Sequence, residues 1–211
     1  MKQKKFFSRR TTRLKGYDYS KPGIYYVTIC TKNLEFLFGE IVRGVMYPSA
    51  GGLFVIQCWN DIPKHYQRVK LYEFTLMPNH IHGILEITDS EENVVEKERN
   101  NNVAKVEGFG RAQDIEPLPN PQLLGIYQSK YHKTRRKNEF QHIIPGSLGS
   151  IIRGFEAGVT KWFRQNTNVT DVWHRNYYES IIRTEKSYYR ITKYIRNNQR
   201  NWTRDKFNSR D

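Results

Sequence analysis

Two runs constrain this chain most. Residues 24–30 (IYYVTIC) and 80–87 (HIHGILEI) are dense in β-branched and aromatic side chains, the composition of strands buried in a sheet. The first reads as a central strand. Between them, a polar turn at 31–35 leads to 36–42, and Arg43-Gly44 turns the chain into 45–47, a hairpin. Over 52–66, Leu53, Ile56 and Trp59 recur every third residue and Pro63 falls near the end, so the spacing predicts one amphipathic helix. Residues 72–77 read as a further strand, broken by Pro78-Asn79 before the run at 80–87. From 147 onward, Leu148, Ile151, Ile152, Phe155, Val159, Trp162 and Phe163 repeat at three and four residues, predicting a helix of roughly four to five turns. Residues 172–182 (VWHRNYYESII) look extended, and Thr184 is a good N-cap for a last helix reaching about Asn198. The expectation is one α+β domain over 1–211: an antiparallel sheet with helices on one face and the other face open for a ligand.

The stretch 88–146 interrupts this order. It has no sustained period, holds Asn100-Asn101-Asn102 and three prolines (Pro117, Pro119, Pro121), and ends on a basic run from Lys130 to Lys137. It reads as a flexible insertion.

Charge narrows the partner. There are 35 Lys and Arg against 21 Asp and Glu, a net charge of +14. Residues 88–120 hold eight acids and four bases, a net −4, so the remaining chain carries +18. A basic folded body favours nucleic acid over an anionic membrane surface. There is no apolar run long enough to span a bilayer. The start, MKQKKFFSRR, is basic with no apolar core behind it, so it is not read as a secretory signal. Cys30 and Cys58 are read as buried thiols rather than a disulfide framework or zinc ribbon. The expected setting is the bacterial cytoplasm, in association with the nucleoid. No phosphate loop follows Gly39–Gly44, where Val45 stands in place of lysine, so ATP is not implied. No Cys-x-x-Cys accompanies the histidines, which argues against a zinc deaminase.

The chemistry concentrates in two places. His80 and His82 are two apart, so in a strand both imidazoles project to the same face, where they can share a divalent metal with an oxygen ligand. In the last helix, Tyr194 and Asn198 are four apart and share a face. A tyrosine beside a metal-polarised phosphate can attack it and become covalently attached; an asparagine offers a neutral amide oxygen. By residue type alone Tyr177, Tyr178, Tyr188 and Tyr189 compete with Tyr194. Trp173, Tyr177 and Tyr178 interleave with Arg175 and Arg183, a pattern suited to stacking bases and contacting phosphates on single strands. Arg9, Arg10, Arg13 and Lys15 belong to a basic N-terminal arm suited to the nucleic-acid backbone. His65, His132, His142 and His174 read as surface or structural.

Several strings together resemble one family. MPNHIHG at 77–83, RLKGYDY at 13–19, LFGEI at 37–41, GSLG at 146–149, WHRNYYE at 173–179 with IIR at 181–183, and YIRNN at 194–198 followed by Trp202 are similar to the motifs of REP-associated tyrosine transposases, within the single-tyrosine His-hydrophobe-His (HUH) group. The likeness covers most of the chain and lapses over the insertion. It implies a ferredoxin-like fold, Mg²⁺ or Mn²⁺ held by His80, His82 and Asn198, and attack by Tyr194 on single-stranded, hairpin-forming DNA through a 5′-phosphotyrosine. It also leaves room for a homodimer in which the tyrosine helix serves a partner. Gln199 stands where that family usually has proline, and Glu156 where many relatives have lysine. A replication initiator or relaxase would share the chemistry but brings further regions. The non-enzymatic alternative is a domesticated, sequence-specific DNA-binding module without strand transfer.

Overall fold

Alternation along the first strand sends Tyr25, Val27 and Ile29 to one side and Ile24, Tyr26 and Thr28 to the other, and nearly all of them are buried. Such a strand must be covered twice. The computed structural model describes residues 17–89 and 144–208, which all fall in one of the chain's two compact units. They form β1 (Gly23–Cys30), β2 (Gly39–Val42), β3 (Val45–Pro48), α1 (Ala50–Asn60), α2 (Ile62–His65), β4 (Val69–Met77), β5 (His80–Ile87), α3 (Leu148–Asn166), β6 (Tyr178–Ile182) and α4 (Glu185–Asn197). Short 3₁₀ segments follow β1 (Lys32–Leu34) and α4 (Gln199–Arg204). The expected insertion lies outside the described residues except at its ends.

The main sheet has the order β4-β5-β1-β6, with every neighbouring pair antiparallel. Pro78-Asn79 makes the tight turn between β4 and β5, and Met77 pairs with His80 across it. The hairpin β2–β3 is closed by Arg43 and Gly44, both at positive φ (51° and 78°), the backbone a two-residue hairpin turn demands.

One sheet face packs Tyr25, Val27, Ile29, Ile81, Leu85 and Ile87 against α1 (Val55, Trp59) and the apolar stripe of α3, including Leu148, Ile151, Phe155, Val159 and Phe163. Ser49 and Ser147 cap these helices by accepting the backbone N–H of Gly52 and Ser150. Gly83 is obligatory here: a Cβ at that position would lie 2.3 Å from the Trp59 ring.

Three expectations are corrected. The second sheet face is not open: α4 lies on it, packing Tyr188, Ile191 and Ile195 against Tyr26, Ile84 and Ile182. Its apolar stripe at three- and four-residue spacing requires such a cover. The helix foreseen over 52–66 is two, divided at Asp61, because Pro63 can donate no N–H to continue the first. The extended segment at 172–182 enters the sheet only from Tyr178; Trp173 makes an isolated bridge to Thr31. The two cysteines are free and half-buried, and burial pushes both thiols up to about 12. Among the described residues no helix is long and apolar enough to cross a membrane.

Candidate metal and nucleophile site

The period of two along β5 turns Ile81, Gly83 and Leu85 toward α1 and α3, and turns His80, His82 and Ile84 toward α4. Both histidines are buried, at 0% and 1% exposure, and their Nε2 atoms face each other at 3.1 Å.

The outer nitrogens are tied down. The Asn79 amide donates to the carbonyls of Leu34 (3.1 Å) and Phe207 (2.8 Å), so its Oδ1 is the atom facing His80 Nδ1 at 2.8 Å. His80 therefore carries its proton on Nδ1, and its Nε2 lone pair points into the site. His82 Nδ1 lies 2.8 Å from both the Tyr26 hydroxyl and Thr28 Oγ1. A hydroxyl can donate or accept, so this pair supports either tautomer of His82. Such outer partners orient metal-binding imidazoles. Burial lowers His82 to about 3, with Lys206 adding to the effect. It also holds His80 well below its ordinary value, reinforced by His82 and then Lys206. Both rings are neutral at neutral pH, the form that ligates a cation.

α4 brings the second half. Thr184 caps it by accepting the Ser187 N–H at 3.2 Å. The apolar stripe that docks the helix also fixes its rotation, so Tyr194 near its end meets His82, with Asn198 one turn further on. The Tyr194 hydroxyl is 3.4 Å from His82 Nε2, with the rings edge to face at 5.2 Å. Tyr194 is half-exposed, while Asn198 is buried and its Oδ1 has no hydrogen-bond partner. Burial raises the Tyr194 phenol above its ordinary value; a hydrogen bond from the Asn198 side chain offsets part of that, and the Asp205 charge adds to it. Tyr26, also beside His82, is pushed above the ordinary phenol range by burial.

The set of donor types, two neutral imidazoles, an unpartnered buried amide oxygen and a carboxylate, is one that could hold a divalent cation. That carboxylate, Asp205, was not foreseen from the sequence. One ligand atom from each of His80, His82 and Asp205 lies within 4.8 Å of the others. Its only sequence signal is that it is a lone acid among Arg200, Arg204 and Lys206.

A groove of about 570 Å³ runs beside Tyr194, lined by Arg190, Lys193, Asn197, Asn198, Asn201, Arg204, Asp205 and Lys206. Arg190 is one helical turn before Tyr194, a spacing that could have revealed it. Of the residues expected to bind DNA, Arg175 and Arg183 are exposed. Trp173 is half-buried and packs against the core, its ring 5.4 Å from Phe38 and 5.5 Å from Phe155, and its indole N–H donates to the Glu156 carbonyl at 3.0 Å. Arg9, Arg10, Arg13 and Lys15 lie outside the described residues. Gln199 ties the end of α4 to β4 by donating to Thr75 Oγ1 (3.1 Å) and the Leu76 carbonyl (3.3 Å). Glu156 sits on α3, across the sheet from the histidines, and burial pushes its carboxyl up to about 7.

The chain is 41% identical over 197 residues to an uncharacterized protein of Haemophilus influenzae, covering 93% of this chain and 91% of that one. No family model matches it. A solved structure described as the REP-associated tyrosine transposase bound to a REP hairpin is similar with a TM-score of 0.49 at 12% identity, covering 89% of this chain and 72% of that one.

Proposed function

The chain belongs to one family with that Haemophilus influenzae protein, and we propose that it is a single-tyrosine transposase that cuts and rejoins single-stranded, hairpin-forming DNA. The observation that carries this reading is the meeting of two buried, neutral imidazoles with the half-exposed Tyr194 hydroxyl, 3.4 Å from His82 Nε2. The quoted sequence motifs and the basic groove support it. The sheet order β4-β5-β1-β6, with helical connections from β1 to β4 and from β5 to β6, fits a ferredoxin-like arrangement.

In this reading His80, His82 and Asn198 hold Mg²⁺ or Mn²⁺, which supplies Lewis-acid polarisation of a phosphate oxygen. The cationic groove residues Arg190, Lys193 and Arg204 bind the backbone and align a phosphate against Tyr194. The Tyr194 oxygen bonds to phosphorus, the bond from phosphorus to the 3′-oxygen breaks, and the phenol proton leaves to solvent as the 3′-oxygen takes one up. The products are a 5′-phosphotyrosine and a free 3′-hydroxyl. Reversal by a second 3′-hydroxyl rejoins strands without an external energy source. Asn198 holds the phenol in line through its side chain. Because Tyr194 meets histidines of its own chain, one copy carries every proposed chemical group, and a homodimer is not required.

The test is incubation with hairpin oligonucleotides taken from DNA flanking the gene, with Mg²⁺ or Mn²⁺, scored for a covalent protein–DNA adduct. The adduct is expected with the wild type and not with Tyr194→Phe, which should still bind the DNA. An adduct that survives the substitution assigns the nucleophile to another tyrosine. Hairpin binding with no cleavage under any metal condition returns the protein to the DNA-binding alternative.

A further inference from the structure

The geometry points to Asp205 as the charged ligand of the cation held by His80 and His82. This inference rests on the cation site of the proposed function. Three observations carry it.

The first is placement: a ligand atom of Asp205 lies within 4.8 Å of ligand atoms of both histidines, and among the described residues this is the one such cluster. The Phe207 N–H donates to Asp205 Oδ1 at 2.7 Å and fixes the carboxylate's orientation. The second is charge. The histidines are neutral and Asn198 is neutral, so a buried divalent ion bound by these alone would keep its full charge in a poorly solvated place, which is costly. Oxyanion ligands are also what hard divalent cations prefer. The third is the surroundings. Asp205 is the lone acid lining a groove otherwise built of Tyr194, Arg190, Lys193, Arg204, Lys206 and amides. A bare carboxylate there repels the phosphates that the rest of the groove attracts, and a cation resting on it removes that conflict.

The same geometry gives Asn198 a different emphasis. It lies one helical turn after Tyr194 and lines the same groove, so it serves chiefly as a positioning residue for the phenol, and its buried carbonyl oxygen, which has no hydrogen-bond partner, is a weaker, neutral donor to the ion.

The experiment is Mn²⁺ titration of the DNA-free full-length protein by calorimetry and electron paramagnetic resonance, with thermal unfolding of each variant alongside. Asp205→Asn is expected to weaken Mn²⁺ binding by roughly 10-fold or more, the size at which even outer-shell partners act, and Asn198→Ala by less. Wild-type affinity in Asp205→Asn overturns the inference, as does a wild-type protein that binds no Mn²⁺. Should Asp205→Asn not fold, Asp205→Glu is read instead. A Mn²⁺ spectrum altered from wild type supports ligation, and an unaltered one overturns it. Because no DNA is present, intact Mn²⁺ binding through Asp205 with no adduct on any hairpin would sink the transposase reading alone.

Discussion

β5 presents two surfaces made by the same eight residues, and they are built to opposite rules. Toward α1 and α3, Ile81, Leu85 and Ile87 are fully or nearly fully buried among apolar side chains, and Gly83 leaves room for the Trp59 ring. Toward α4, His80 and His82 are just as buried, but each ring nitrogen faces a polar atom: the Asn79 oxygen, the hydroxyls of Tyr26 and Thr28, the other imidazole, and the Tyr194 hydroxyl. The first surface is specified by volume and the second by directed polar contacts. Burial alone therefore does not mark a core in this protein; what distinguishes the site is that its buried polar atoms converge, the two Nε2 atoms facing each other with Asp205 nearby. A substitution on one face should disturb stability and on the other chemistry, and this separation can be tested.

The largest expected effect falls on the α4 face. Tyr194→Phe should reduce adduct formation by a factor of a thousand or more, or about 4 kcal/mol in barrier, while shifting stability by no more than about 0.5 kcal/mol, since the half-exposed hydroxyl gives up one long contact. Parallel measurement of adduct yield and urea denaturation checks both, and a strongly destabilised variant would break the division between faces. On the other face, Gly83→Ala forces a methyl group against the Trp59 ring. It should cost about 1–3 kcal/mol of stability through overpacking, with the remaining folded protein still binding Mn²⁺. Denaturation midpoints decide this, and an unchanged midpoint would show that Trp59 moves freely and that the packing is not tight.

Much of this division is legible in the sequence, because it rests on local periods. The run HIHGILEI assigns its own faces by alternation, and Thr184, Tyr194 and Asn198 fall into place once a 3.6-residue repeat is granted. The covered second face is also written there, in the three- and four-residue spacing of Tyr188, Ile191 and Ile195, an apolar stripe that the expected open face leaves without a partner. What could not be read depends on contacts distant in sequence. Asp205 reaches the histidines only because Trp202 is buried against Phe36 and His80, with ring centroids 5.6 Å and 6.1 Å away, which turns the tail after α4 back over the site. Trp173 precedes two arginines, Arg175 and Arg183, that suggest DNA, yet its ring packs against Phe38 and Phe155 from other elements.

An intermediate effect should come from pH. His82 falls from an ordinary value near 6.5 to about 3 on folding, and His80 moves the same way. Below pH 6.5 the unfolded chain takes up protons that the folded chain refuses, so their contribution is complete above that pH and is lost as pH falls toward 3. Each group can contribute a slope of up to about 1.4 kcal/mol per pH unit in that window. Metal-free wild type should therefore lose on the order of 1–2 kcal/mol per histidine between pH 6.5 and 5, and His82→Gln should show a shallower decline. Equal slopes for the two proteins would mean that His82 is charged, or well solvated, in the folded state, and would remove one support for the site.

The smallest effect concerns the groove that leads to Tyr194. Arg190 and Lys193 are exposed on α4 and line it, whereas Arg175 and Arg183, singled out by their neighbouring aromatics, do not line it. A side chain that neutralises a phosphate releases a bound counterion, so its removal lowers the dependence of log affinity on log salt, by about 0.7 for each contact on a single strand. Lys193→Ala should therefore weaken binding of a hairpin with a single-stranded flank by less than 10-fold at 50 mM salt and reduce the slope by that amount. Arg190→Ala should do the same, and Arg175→Ala should do so only if the DNA extends past the groove toward the segment before β6. Titrations over 50 to 200 mM salt would separate these cases. If Arg175→Ala flattens the slope while Lys193→Ala leaves it untouched, the strand runs along the sheet edge instead of over α4, and Tyr194 must be reached from the opposite direction.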